Sequence, residues 1–275
     1  MRRGLLSIGI LSVFLMTMLI PVNYAMFWGG GGGGGGYTFS PVITENDAGY
    51  AYNLSGITFV TTLVNLTGTF EYNFTEGGTQ IVEYYIALGQ YNPNYGSYYI
   101  QPIIAFATDG NLWSLDWAVQ AWGDKSGIPY KEYNTSGTIT FGLGTSVNLN
   151  YLFNLTIKAT LNSQGEITSA WLYIANAKTG QVYFSQTITL QYPIPDKQVF
   201  FEVEDPLYGG IPVNFPIIPS SNCIFVKALA SNSSVVFETG LPLYNGVKFI
   251  MEPPGATAYV VPTFGFWTQG VQYIW

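Results

Sequence analysis

The stretch Ile167-Thr168-Ser169-Ala170-Trp171-Leu172-Tyr173-Ile174-Ala175-Asn176-Ala177-Lys178-Thr179-Gly180-Gln181-Val182-Tyr183-Phe184-Ser185-Gln186-Thr187-Ile188 sets two alternating runs on either side of a turn-forming segment. Successive strand side chains point to opposite faces, so this pair reads as a β-hairpin with Asn176 to Gly180 at its tip. Asn162-Ser163-Gln164-Gly165 makes the same junction one strand earlier. Outward from there, short apolar or alternating runs recur at 57–64, 68–74, 81–88, 98–107, 113–122, 138–141, 147–161, 182–190, 199–204, 224–230 and 247–251. Gly, Asn, Asp or Pro punctuates nearly every gap, and no run sustains a helical period. Many short strands without helices predict an all-β chain, a two-sheet antiparallel β-sandwich of concanavalin-like jelly-roll type. The domain is expected over residues 46–275, with the runs after 231 closing the same sandwich or forming a small tail domain.

Composition supports that class and excludes others. The 275 residues include 21 Tyr, 18 Phe and 7 Trp, with charged residues only 9 % of the chain. Aromatics favour strands. Nine basic against sixteen acidic residues give a net charge of −7, and no basic cluster lies beyond Arg2-Arg3, which argues against nucleic-acid binding. In strong acid the carboxylates are neutral and few like charges remain to repel each other, so the chain suits an acidic medium.

The N-terminus speaks for export. Arg2-Arg3 and the apolar residues 5–20, followed by Pro21 and small Ala25, read as a signal peptide over 1–25, with an uncleaved membrane anchor as the alternative. Residues 26–45, with glycine at every position from 29 to 36, are expected as a flexible linker. Asn53, Asn65, Asn73, Asn134, Asn154 and Asn232 begin Asn-x-Ser/Thr sequons, glycosylation candidates on a secretory route. Lone Cys223, in an apolar run, reads as a buried structural thiol. Secretion is therefore expected, or a surface-anchored form touching a membrane only through its N-terminal segment.

The chain has no histidine. A Ser-His-Asp triad, a Cys-His pair and a histidine-ligated zinc are all excluded, and nothing calls for a metal or cofactor. Carboxylates and amides remain. A carboxylate can act as general base toward water and an amide N–H can stabilise an oxyanion, so Gln101 in Tyr98-Tyr99-Ile100-Gln101-Pro102 and Glu204 in Phe200-Phe201-Glu202-Val203-Glu204-Asp205 form a chemically sufficient hydrolytic pair.

The order of these segments resembles the glutamic peptidases, or eqolisins, acid endopeptidases built as β-sandwiches. Asp47 to Tyr52 is similar to that family's opening Asn-Trp-Ala-Gly segment, Tyr99 to Ile103 to its Ile-Leu-Gln-Thr-Gly strand, and Trp113 to Trp122 to its Ala-Trp-Tyr-Glu-Trp strand. Asn176 to Gly180 resembles its Asn-Leu-Thr-Thr-Gly turn, and Val199 to Asp205 its Ala-Glu-Trp-Ile-Val-Glu-Asp strand. The likeness covers about residues 46–230 and departs at the missing Trp beside Gly49 and at Pro102-Ile103. It implies a secreted acid endopeptidase acting on polypeptide, with Gln101 and Glu204 catalytic. Tyr98, Asp116, Trp117, Trp122 and Glu202 are candidates for the substrate cleft. Two other readings stay open: a sandwich-fold glycoside hydrolase using the closely spaced Glu202 and Glu204, and a catalytically inactive glycosylated surface or filament protein.

Overall fold

The computed structural model describes residues 46–52, 55–90, 98–205, 207–208, 211–212, 214–219, 225–231, 236–238 and 246–248. The proposed signal peptide, the glycine linker, Cys223, Asn53, Asn232 and the last 27 residues lie outside them.

The strands are β1 (Asn46–Tyr52), β2 (Phe59–Glu71), β3 (Gln80–Gln90), β4 (Tyr98–Thr108), β5 (Leu112–Lys125), β6 (Ile128–Leu143), β7 (Ser146–Leu161), β8 (Glu166–Asn176), β9 (Val182–Pro195) and β10 (Gln198–Asp205). Short elements follow: β11 (Leu207–Tyr208), β12 (Ile211–Pro212), β13 (Phe225–Ser231), β14 (Val236–Glu238) and β15 (Gly246–Lys248). There is no helix among the described residues, and so none long and apolar enough to cross a membrane. A seven-stranded sheet runs β15-β1-β10-β3-β4-β5-β6, and a six-stranded sheet runs β14-β13-β2-β7-β8-β9. Every strand pair within these two sheets is antiparallel. The expected β-sandwich is the observed one.

Period-two alternation builds the space between the sheets. Val82, Tyr84, Ile86 and Leu88 of β3, Ile100, Ile104 and Phe106 of β4, and Val199, Phe201 and Val203 of β10 face inward from one sheet. Val60, Val64 and Leu66 of β2, Phe153, Leu155 and Ile157 of β7, and Ile174 of β8 meet them from the other. Each buried side chain of this size contributes roughly 1.5–3 kcal/mol. Aromatic contacts join the layers at Phe70–Phe106, Trp117–Phe184 and Phe201–Phe225, with ring centres 4.9, 5.5 and 6.1 Å apart.

Turn chemistry fixes the register where the sequence expects it. At the β7–β8 turn Asn162 Oδ1 accepts from the N–H groups of Gln164 and Glu166. At the β8–β9 turn the Gly180 N–H donates to the Asn176 carbonyl at 2.8 Å, with Gly180 at φ 75°, a conformation open to glycine. Two boundaries differ from expectation. The runs at 57–64 and 68–74 are one strand, β2, passing through Gly68, and the short run at 138–141 is the end of sixteen-residue β6. Its Asn134-Thr135-Ser136-Gly137 reads as a turn in isolation, but pairing with β5 along its length overrides that preference.

Gly137 is where β6 admits the Trp117 indole. A Cβ added there would stand 2.7 Å from Nε1 and 2.8 Å from Cε2 of a ring that also packs on Phe184. Gly137→Val is therefore expected to lower unfolding free energy by about 1–3 kcal/mol through overpacking, read as an earlier denaturation midpoint.

Candidate active site on the outer face of the seven-stranded sheet

The residues that alternate with the core point to the far side of the seven-stranded sheet. On β10 these are Phe200, Glu202 and Glu204; on β3, Glu83, Tyr85 and Ala87. On β4 they are Tyr99, Gln101, Ile103 and Ala105, and on β5 Ser114, Asp116, Ala118, Gln120 and Trp122. This face is buried too. Glu202, Glu204, Glu83, Gln101, Asp116 and Gln120 are each 6 % exposed or less, which separates them from an ordinary wetted strand face.

Cross-strand pairing sorts the face into rows. Glu204 pairs with Glu83, Glu83 with Ala105, and Ala105 with Asp116. The next row runs Glu202, Tyr85, Ile103, Ala118. Gln101 lies a further row along, at the level of Ala87, between the Tyr85–Ile103 and Leu88–Ile100 pairs, and its β5 partner is Gln120. Asp47 of β1 pairs with Glu204 from the other side, so the motif segments expected to surround the site are adjacent strands of one sheet.

The register sets the two β10 carboxylates at different levels from Gln101. With strands about 4.8 Å apart and about 3.4 Å per residue, Glu202 stands about 10 Å across and 7 Å along from Gln101, and Glu204 about 10 Å across and 14 Å along. Each side chain reaches about 4–5 Å from its Cα. All three share the face expected of them, Glu202 one row and Glu204 two rows from the level of Gln101. The Tyr85 hydroxyl donates to Glu202 Oε2, which orients that carboxylate within the face.

Glu83 is the acidic residue that sequence reading missed. A single charge inside the apolar run Ile81-Val82-Glu83-Tyr84-Tyr85 was the available signal. Directly opposite cross-strand side chains have Cβ atoms about 4.5–5.5 Å apart. Two charged carboxylates at that spacing repel.

Asp116 occupies the same row from β5. Burial pushes its carboxyl up to about 6, against the hydrogen bonds of Ser114, whose Oγ donates at 2.5 Å, and Thr138. Trp122 also lies on this face, with the Lys131 ammonium 5.4 Å from its ring centre and lowered in proton affinity by desolvation. Two other cleft candidates do not. Tyr98 and Trp117 point into the sandwich, Tyr98 donating its hydroxyl to the Gly127 carbonyl at 2.6 Å and Trp117 packing on Phe184. The reason is parity: each sits an odd number of residues from the outward positions of its strand.

Among the sequons, Asn73 lies in a turn, accepting from the Thr75 N–H at 3.1 Å. Asn65 Oδ1 accepts from Thr67 Oγ1, and Asn154 Oδ1 accepts from Thr156 Oγ1. Asn134 Oδ1 is buried. No group of three His, Cys, Asp or Glu side chains among the described residues is arranged to hold a metal ion.

No protein-family model matches the sequence, and no curated protein does. Solved structures do match the fold. Scytalido-glutamic peptidase, in a structure with a peptide-based transition-state analogue, superposes at TM-score 0.52 and 13 % identity over 82 % of this chain and 98 % of its own. A second structure of it, with a transition-state analogue inhibitor, gives 0.52 and 14 % over 79 % and 94 %. SCP-B, a member of the eqolisin family of peptidases in complex with the tripeptide Ala-Ile-His, gives 0.51 and 13 % over 79 % and 94 %. The described body therefore has the fold of the eqolisin glutamic peptidases, with the carboxylates and Gln101 on one face of a single sheet.

Proposed function

We propose that this chain is an exported endopeptidase of glutamic type, working in acid on unfolded polypeptide. The observation that carries the reading is the placement of Gln101 and the β10 carboxylates on one buried face of one sheet, in a histidine-free chain. Glu202 takes a proton from water as it attacks a peptide carbonyl, and the Gln101 amide N–H stabilises the oxyanion. Glu202 then protonates the leaving amine. Glu204 with Glu83 supplies the adjoining acidic row. The peptide-derived ligands of the structural relatives support polypeptide as the substrate class. Residues 1–25 direct export or anchor the chain at the cell surface, and 26–45 tether the body over 46–275.

Purified residues 37–275 are expected to cleave denatured protein between about pH 2 and 5, near the carboxylate range, with chelator present. Absence of cleavage throughout that window sinks the reading in favour of an inactive surface protein. The directly opposed Glu83 and Glu204 favour one second reading, a retaining glycosidase, whose carboxyls stand about 5–5.5 Å apart. Release of sugar from polysaccharide without peptide cleavage would establish it.

A further inference from the structure

Four large apolar side chains gather, exposed, at one end of the sandwich. Phe74 and Leu143 are 75 % and 73 % exposed, and Phe141 and Ile217 are about half exposed. β2, β4 and β6 run toward this end and β3, β5 and β7 away from it, so the turns at 72–79, 109–111 and 144–145 lie side by side. Backbone hydrogen bonds tie them together. Glu71 and Ile217 exchange N–H···O bonds at 2.9 and 2.8 Å, the Tyr72 N–H donates to the Thr145 carbonyl at 2.7 Å, and the Gly144 N–H donates to the Asn111 carbonyl at 2.8 Å.

Phe74 stands out from a braced turn. Fully buried Gln80 accepts from the Asn73 N–H and donates to the Asn73 carbonyl, both at 2.7 Å, while Asn214 Nδ2 donates to the Glu76 and Gly77 carbonyls at 2.9 and 2.7 Å. The Tyr72 ring backs the Phe74 ring edge-on, centres 5.0 Å apart, and itself rests on Gly110, where an added Cβ would meet it at 3.0 Å. The charges at this end are the carboxylates of Glu71, Glu76 and Asp109, and 72–79, 109–111, 144–145 and 214–219 contain no Lys or Arg. An uncharged partner therefore suits the surface better than an anionic one.

The course of the chain says what that partner is. Asn46 pairs with Asp205 and Glu204 pairs with Glu83, near the start of β3, so β1 begins at this same end. About 25 residues separate it from the apolar segment 5–20. A flexible chain of that length spans on average about 25–30 Å. A strand of sixteen residues such as β6 is about 50 Å long, so an anchored N-terminus brings this end, and not the one bearing Ile128, to the bilayer. We propose that Phe74, Phe141, Leu143 and Ile217 form a docking surface for an uncharged lipid bilayer, their side chains entering the headgroup boundary. The strands then stand along the membrane normal and the candidate cleft faces sideways, beside the membrane. The inference goes beyond the peptidase reading and holds whether or not the chain cleaves peptide.

The full chain in phosphatidylcholine vesicles tests this, with a nitrobenzoxadiazole label on one cysteine at a time, Phe74→Cys, Leu143→Cys or Ile128→Cys, each with Cys223→Ser. Ile128 is the control, 61 % exposed at the opposite end of β6. Quenching by nitroxide-bearing lipid is expected to be several-fold greater at 74 and 143 than at 128. Equal quenching at 74 and 128 overturns the proposal. With the label at Ile217→Cys, adding Phe74→Ser and Leu143→Ser is expected to lower quenching to the level at 128. Undiminished quenching there overturns it, because the tether alone would then hold this end at the lipid. A label at 74 already blue-shifted before vesicles are added also overturns it, in favour of a second copy where the shift grows with protein concentration and of the chain's own residues where it does not. A glycan found on Asn73 of the vesicle-bound chain, between the turn and the lipid, would overturn it as well.

Discussion

Glu202→Gln is expected to lower turnover by about 10²–10⁴ fold while leaving the fold intact, because it removes a general base and keeps the shape of the side chain. The Tyr85 hydroxyl can still donate to the new amide oxygen, so little of the local packing is disturbed. Gln101→Ala should remove the oxyanion donor and lower kcat by about 10²–10³ fold. Glu204→Gln should act mainly on the pH profile, through the loss of its charge opposite Glu83. Circular dichroism and a denaturation curve on each variant separate lost chemistry from lost structure. The opposite pattern, Glu204→Gln inactive and Glu202→Gln active, would mean that the motif alignment outranks the strand register and that β10 sits two residues further along β3. Retention of full turnover by all three variants would remove the site from this face.

Stability is expected to be greatest in acid and to decline as pH rises from about 4 toward 8. Two buried carboxyls drive this. Burial raises Asp196 to about 7, with the N–H groups of Gly56 and Ile57 and the charge of Lys197 only moderating the shift, and raises Asp116 to about 6. Among the described residues those two N–H groups approach the Asp196 oxygens without a well-formed hydrogen bond. Both groups bind their proton more tightly folded than unfolded, so their contribution is fully present below the unfolded value near 3.9 and is lost through the folded values. At about 1.4 kcal/mol per tenfold change in proton affinity, Asp196 can remove at most about 4 kcal/mol across that window. Asp196→Asn should therefore match the wild type near pH 3 and exceed it near pH 8 in unfolding free energy. A wild-type profile that rises with pH, or an Asp196→Asn variant that loses stability equally at both ends, would defeat this account.

Some of the architecture was legible because its cause is local. The two turns at Asn162 and Asn176 carry residues whose side chains hydrogen-bond their own backbone, so they could be placed without knowing any partner strand. β6 could not. Its Asn134 to Gly137 segment has turn composition, and only pairing to β5 and the indole of Trp117 against Gly137 make it strand. β3 hides its period for a related reason: both faces are buried, one against the core and the other in the candidate cleft, so Glu83 and Tyr85 look like members of an apolar run.

The sequence by itself determined the chemistry on offer and the layer architecture. With no histidine it excluded imidazole-dependent hydrolysis, and the alternation of 199–204 placed Glu202 and Glu204 together on one face opposite Phe201 and Val203. Only the tertiary structure decided that β3 stands between β10 and β4, that Glu83 stands opposite Glu204, and that Tyr98 and Trp117 belong to the core. The physical reason is that period within a strand is a property of one segment, whereas register between strands is set by the packing of every neighbour at once, and a catalytic pair spanning two strands depends on the second.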